Sequence, residues 1–312
     1  MCCNANIREA LLLELLEDDI DLNVVGAAVE ILAQSVDIDA MDMDTPDDFH
    51  NHVRLSKGRF QTQKIDVDGQ TINYVKVGNG PKTVLCFPGA LGTIWSDFKP
   101  QVENLDREKF TIVAWDPPGY GYSRPSNRKF GIHFYRNDAI CAEKFMNTLG
   151  IDKYSLLGWS DGGISSMILA AAYPEKVEKL VCWGSNAYLV ADEVKQCESL
   201  RDISKWSDKM KAPLVELYTE KGLSDMWNAW CDTCVKLYEN GGDICKDDLK
   251  QIKCPVFILH GDKDPMIAAE HPDYLLSNIK MAKLHRFPNG KHNIHLRYAE
   301  EFNSLVTKFL LE

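Results

Sequence analysis

The sequence predicts an α/β fold: a mostly parallel sheet with helices on both faces and a helical block inserted late in the chain. Three observations predict it. Short β-rich apolar runs alternate with amphipathic helical stretches from Lys64 onward, several of the runs end in Gly- or Pro-containing turns, and about seventy residues between two of the runs carry no strong strand signal.

The elements follow in order. "KIDVDGQTINYVKVG" places an Asp-Gly turn between two alternating runs, the pattern of a hairpin. "TVLCF" and "FTIVAW" are continuous apolar strands of the kind a sheet buried on both faces requires, each followed by a turn with Pro and Gly. "YSLLGW", "KLVCWG", "PVFIL" and "KLHRF" continue the series, with helical stretches such as "NDAICAEKFMNTLG" and "ISSMILAAAYPEKV" as crossovers. The exception lies between Trp183 and Val256, where about seventy residues have helical character with no strong strand and Tyr188, Trp206, Trp227 and Trp230 fall. A helical lid over the carboxyl ends of the strands, at about 187–250, is expected there, its aromatics mostly holding a small core of its own.

Bulk properties set the organisation. The chain has 312 residues, 45% of them hydrophobic, enough for one large domain, expected over 60–312. The net charge of −11 is unevenly placed. Residues 1–50 hold thirteen acids against Arg8, and the remainder balances 34 basic residues against 33 acids. Residues 1–59 therefore read as an acidic extension, partly helical or disordered, with two short amphipathic stretches and no pattern of a secretory signal or mitochondrial presequence. No basic stripe for nucleic acid is present, and no apolar run approaches the ~20 residues of a bilayer span. Nucleic acid and membrane partners are not expected. Ten cysteines without framework spacing suit a reducing compartment, cytoplasmic by expectation with mitochondrial as the alternative. The Cys231–Cys234 pair has metal-like spacing but no second pair, and reads as two helix cysteines, with no metal expected.

Chemistry concentrates in "LLGWSDGGI". Strand, turn and helix signals around Ser160, with Gly158 and Gly162 flanking it, match a nucleophile elbow, in which a serine stands clear at a helix N-terminus. A serine needs a base and a group to orient that base. In this architecture the acid and then the histidine follow in chain order, and Asp264 in "HGDKDP" and His292 in "PNGKHNIHLR" satisfy it. On spacing alone Asp262 competes with Asp264. His295 is expected to open the last helix, and His260, ending a strand, reads as a packed structural histidine. Oxyanion donors would be the backbone N–H groups of Asp161 and of Ala90 in "CFPGALG". Asp161 itself raises a question, because a fixed negative charge beside a forming oxyanion is unfavourable. From the residues alone it reads equally as a binder of a substrate cation or as a first-turn helix acid facing solvent.

At these residues the sequence resembles the α/β-hydrolase superfamily and, within it, the valacyclovir hydrolase (biphenyl hydrolase-like) family. The stretches that carry the resemblance are "VAWDPPGYGYSRP", "LLGWSDGGI", "WGSNAY", "RDISKWS", "HGDKDP" and "GKHNIHLR", from about residue 62 to the end; Pro118 stands where that family tends to have arginine. The resemblance implies a serine hydrolase of small α-amino acid esters with Ser160, Asp264 and His292 as triad, Asp161 binding the substrate's amino group, no cofactor, and a small-molecule ester as partner. A monomer is expected. The alternatives are a carbon–carbon bond hydrolase of the same fold and a catalytically idle ligand-binding fold.

Overall fold

A computed structural model describes residues 60–125 and 127–312. The acidic extension with its two amphipathic stretches lies outside the described residues.

The Asp-Gly turn forms as the sequence requires. Asp68 and Gly69 both take positive φ, 51° and 79°, the two left-handed positions of a tight hairpin turn, and they join β1 (Gln63–Val67) to β2 (Gln70–Val77). Both strands are antiparallel to their neighbours. The remaining strands, β3 (Lys82–Phe87), β4 (Phe110–Trp115), β5 (Tyr154–Trp159), β6 (Val177–Trp183), β7 (Val256–Gly261) and β8 (Ala282–Phe287), run parallel to one another. The eight strands are ordered β1-β2-β4-β3-β5-β6-β7-β8.

Alternation along a strand divides the core into two layers. On β3, Leu85 and Phe87 face one layer, which α3 (Phe134–Thr148) and α4 (Asp161–Ala172) cover with Phe145, Met146, Met167 and Ile168. Val84 and Cys86 face the other, which α1 (Ile94–Asp97), α2 (Lys99–Asn104) and the C-terminal helix close with Ile94, Val102, Phe302 and Val306. Burial on both sides explains why every residue of β4 and β7 is buried and why the two strands are mostly apolar.

Between β6 and β7 come α5 (Ala191–Ser199), a 3₁₀ turn at Ile203–Lys205, α6 (Asp208–Tyr218), α7 (Glu220–Glu239) and α8 (Lys246–Leu249). Trp206, Trp227, Leu223, Cys231 and Cys234 pack there with Leu91 and Tyr120, which belong to the loops after β3 and β4. The block is thus seated on the carboxyl ends of the strands. Tyr218 fastens it, accepting from Gly121 N–H at 2.8 Å and donating to Leu91 C=O at 2.9 Å. The helices α9 (His271–Asn278), α10 (Ile294–Arg297) and α11 (Ala299–Leu311) complete the described residues. Among them no helix is long and apolar enough to cross a membrane.

Candidate active site

β5 ends at Trp159 and α4 begins at Asp161, leaving Ser160 alone to make the turn, with φ 54° and ψ −123°. That conformation costs a non-glycine residue about 1–3 kcal/mol and persists only where the surroundings impose it. Here they do. Ser160 N–H donates to Trp183 C=O at 3.0 Å, and Ser160 C=O accepts from Gly163 N–H at 2.9 Å and from Ser185 Oγ at 3.0 Å. The start of α4 also presses on the end of β3, where a Cβ at Gly162 would lie 2.2 Å from Phe87 O.

The same approach brings the β3 loop to Ser160. A Cβ at Gly89 would stand 3.3 Å from Ser160 Cβ, so the loop that carries the Ala90 N–H lies against the turn that leads to the Asp161 N–H. Among the described residues neither N–H has an acceptor, which leaves both available for a developing oxyanion. The loop is braced by Asp97, whose Oδ2 accepts from Gly89 N–H at 2.9 Å and whose carboxyl is pushed up to about 7 by burial.

Asp264 and His292 meet, with Oδ2 to Nδ1 at 2.9 Å. Asp262 is engaged elsewhere, by Arg286 at 2.8 Å. Burial alone would raise the Asp264 carboxyl, but the adjoining His292 and the Met266 N–H, which donates at 2.8 Å, hold it below the ordinary value. An ionised carboxylate accepts, so Nδ1 donates to Asp264, and in the neutral ring this tautomer leaves the lone pair on Nε2. The imidazole lies against Gly184, where a Cβ would be 2.9 Å from Cε1. Gly184 follows the residue whose carbonyl holds Ser160, so histidine and serine share the corner between β5 and β6.

His295 lies nearby but is occupied. It sits in the separate helix α10 and does not open the last helix, because Tyr298 (φ −117°, ψ 42°) interrupts the two. It is fully buried among Trp159, Trp183, Phe98 and Phe302 and accepts from Trp183 Nε1–H at 2.9 Å. Burial pushes it down to about 3, which keeps it neutral. His260 is also buried, on β7, and burial lowers it.

Asp161 does not face solvent. It is 7% exposed, and its Oδ1 accepts from Tyr135 O–H at 3.1 Å and its Oδ2 from Trp230 Nε1–H at 2.8 Å. Burial pushes its carboxyl up to about 6, while the two donors and, at longer range, Arg128 act against that rise. Arg128 itself is spent on Asp138 and on Pro118 C=O. Sequence reasoning missed Tyr135 and Asp97, and took Trp230 only as a lid aromatic. Tyr135 and Trp230 lie 26 and 69 residues from Asp161, and no motif links them.

Comparison with known proteins agrees with this geometry at the level of family. The model of the alpha/beta hydrolase fold family matches residues 82–214. Serine hydrolase BPHL of Mus musculus is 44% identical over 248 residues, covering 79% of this chain and 85% of that protein, and its Homo sapiens counterpart is 43% identical over 249 residues with the same shares. Among solved structures, 2-hydroxy-6-oxo-6-phenylhexa-2,4-dienoate hydrolase of Rhodococcus sp. strain RHA1 superposes with a TM-score of 0.67 at 18% identity, covering 81% of this chain and 99% of that one, a likeness of fold alone. On the strength of the first two relatives, the chain belongs to the α/β-hydrolase family, in the group represented by serine hydrolase BPHL.

Proposed function

We propose that this hydrolase cleaves small esters of α-amino acids through an acyl-serine intermediate. The observation that carries the substrate class is Asp161, a buried carboxylate next to Ser160 whose contacts are two neutral donors. An ionised carboxylate repels the oxyanion that ester cleavage must form, unless a cation lies beside it. A substrate's α-ammonium group supplies that cation. A carboxylate has about four lone-pair positions, so two remain after Tyr135 and Trp230 have bonded. In a site shielded from water the pairing is stronger than in bulk solvent.

The chemistry then follows. Ser160 Oγ attacks the ester carbonyl while His292 Nε2 takes its proton and Asp264 steadies the imidazolium. The N–H groups of Ala90 and Asp161 bind the oxyanion, each contributing about 3 kcal/mol to the transition state. His292 returns the proton to the leaving alcohol, and a water activated the same way releases the amino acid. The helices over 191–249 act as the lid that excludes bulk water. That the relatives are named serine hydrolases supports the nucleophilic role of Ser160.

The test is a matched substrate set on the wild-type chain: an α-amino acid ester, its analogue without the amine, and a diketone of the kind carbon–carbon bond hydrolases cleave. Pairing a desolvated ammonium is worth 2–5 kcal/mol, so kcat/KM for the amino ester should exceed that of its analogue by about 30-fold or more. Equal values for the two esters, or preferred cleavage of the diketone, would overturn the reading.

A further inference from the structure

We propose that Trp230 and Tyr135 are a positioning pair, one donor from the lid and one from the core, which together aim the Asp161 carboxylate at the substrate's ammonium group. The inference rests on the amino-ester reading above and adds to it a role for the lid in recognition.

The lid aromatics divide by what their N–H groups reach. Trp206 and Trp227 both donate to Leu200 C=O, at 3.0 and 2.8 Å, and so close the lid's own core. Trp230 stacks on Trp227, with ring centroids 4.7 Å apart and planes 11° from parallel, yet its N–H leaves that core and ends on Asp161 Oδ2. Lid packing alone accounts for the ring. It does not account for the direction of the N–H. Tyr135, from α3 on the opposite side, takes the other oxygen. With one donor on each oxygen, the carboxylate cannot rotate without breaking a bond to the core or to the lid.

The chemistry of the two donors matters as much as their placement. Both are neutral, so they stabilise the ionised carboxylate without cancelling its charge, and a full negative charge remains for a ligand. A lysine or arginine here would satisfy the same oxygens and leave nothing for an ammonium to find. The other titratable groups around Asp161 are Arg128 and Asp138, paired with each other, Tyr120, over whose ring the Arg128 guanidinium lies at 4.2 Å, and Cys234 of α7. Because the donors oppose the upward push of burial, removing either should make Asp161 harder to ionise.

Trp230→Phe keeps a ring against Trp227 and removes only the N–H; Tyr135→Phe removes one oxygen and leaves the lid untouched. The measurement is kcat and KM for the amino ester and its amine-free analogue from pH 5 to 8 on wild type and both variants. Taking the ratio of the two esters cancels any pH dependence they share, including that of His292. Each variant should lose about 10-fold or more in kcat/KM for the amino ester, chiefly through KM, with the amine-free ester within about twofold. The midpoint of the ratio's rise with pH, which reports Asp161, should move upward. A parallel loss on both esters with an unmoved midpoint would make the two residues structural and overturn the inference. A wild-type preference for the amine that both variants retain would also overturn it while sparing the substrate reading, whereas no preference in the wild type removes both. If Trp230→Phe does not fold, Tyr135→Phe decides by the same criteria.

Discussion

Ser160 holds a strained backbone (φ 54°) because its neighbours use both of its peptide groups. Two consequences can be separated by substitution. Ser160→Ala keeps the strain and loses the oxygen, so turnover should fall at least a thousandfold with melting nearly unchanged; more than a tenth of the activity remaining would exclude Ser160 as the nucleophile. Ser160→Gly loses both, and relief of about 1 kcal/mol should raise Tm about 2–4 °C above the alanine variant, as thermal unfolding would show. On the proposed reading, Asp161 sets the pH behaviour of recognition. Its carboxyl is raised to about 6 by burial, so it is protonated below that pH and ionised above, and only the ionised form pairs with ammonium. The kcat/KM ratio of amino to amine-free ester should therefore rise through about pH 6 and fall again above about pH 7.7, where the substrate's own α-amino group loses its proton; a ratio constant from pH 5 to 8 would contradict the pairing. At this scale the sequence revealed the residue types and their order. It could not distinguish a solvent-facing Asp161 from a buried one, because the donors that decide the matter come from distant elements. Nor could it separate Asp262 from Asp264, since only the folded loop directs one to Arg286 and the other to His292.

The strands and α4 were legible because burial on both faces writes itself into composition, and the hairpin because Asp-Gly suits two left-handed positions. What spacing does not encode is how closely α4 meets the end of β3. In the proposed mechanism that contact aligns the two oxyanion donors, and a Cβ at Gly162 would meet it at 2.2 Å. In Gly162→Ala the new Cβ would fall 2.2 Å from Phe87 O and 2.5 Å from Pro88 O, both backbone atoms with little room to yield. The helix must move away, and losing one donor's alignment costs about 3 kcal/mol, so kcat should drop about 100-fold for both ester classes together, with a lower Tm. Activity within threefold of wild type would mean that the donors do not depend on this contact. The helical block between β6 and β7 is legible from the lack of a strong strand signal and from its helical spacing. The separate purpose of Trp230 is not, since a ring that packs and a ring that also donates look alike in a sequence.

Among the described residues, every part placed in the proposed chemistry comes from residues between Gly89 and His292, on loops at the carboxyl ends of β3, β5, β6, β7 and β8, with α3 and the helical block closing over them. Deleting residues 1–59 should therefore leave kcat/KM on amino esters within about twofold; loss of most activity would show that the acidic segment contributes to the site. The strands supply rigid ends, the crossing helices a buried place for a carboxylate, and the inserted helices one of the bonds that hold it, so architecture and specificity converge on one side chain. The most direct measurement is kcat/KM for the matched ester pair on wild type and Asp161→Ala. The substitution keeps the backbone N–H of the oxyanion hole and removes only the charge. The amino ester should lose about 30-fold to several thousand-fold while its amine-free analogue is unchanged or improved. An equal loss on both esters would contradict the account, leaving Asp161 as part of the framework and the enzyme without a basis for choosing amines.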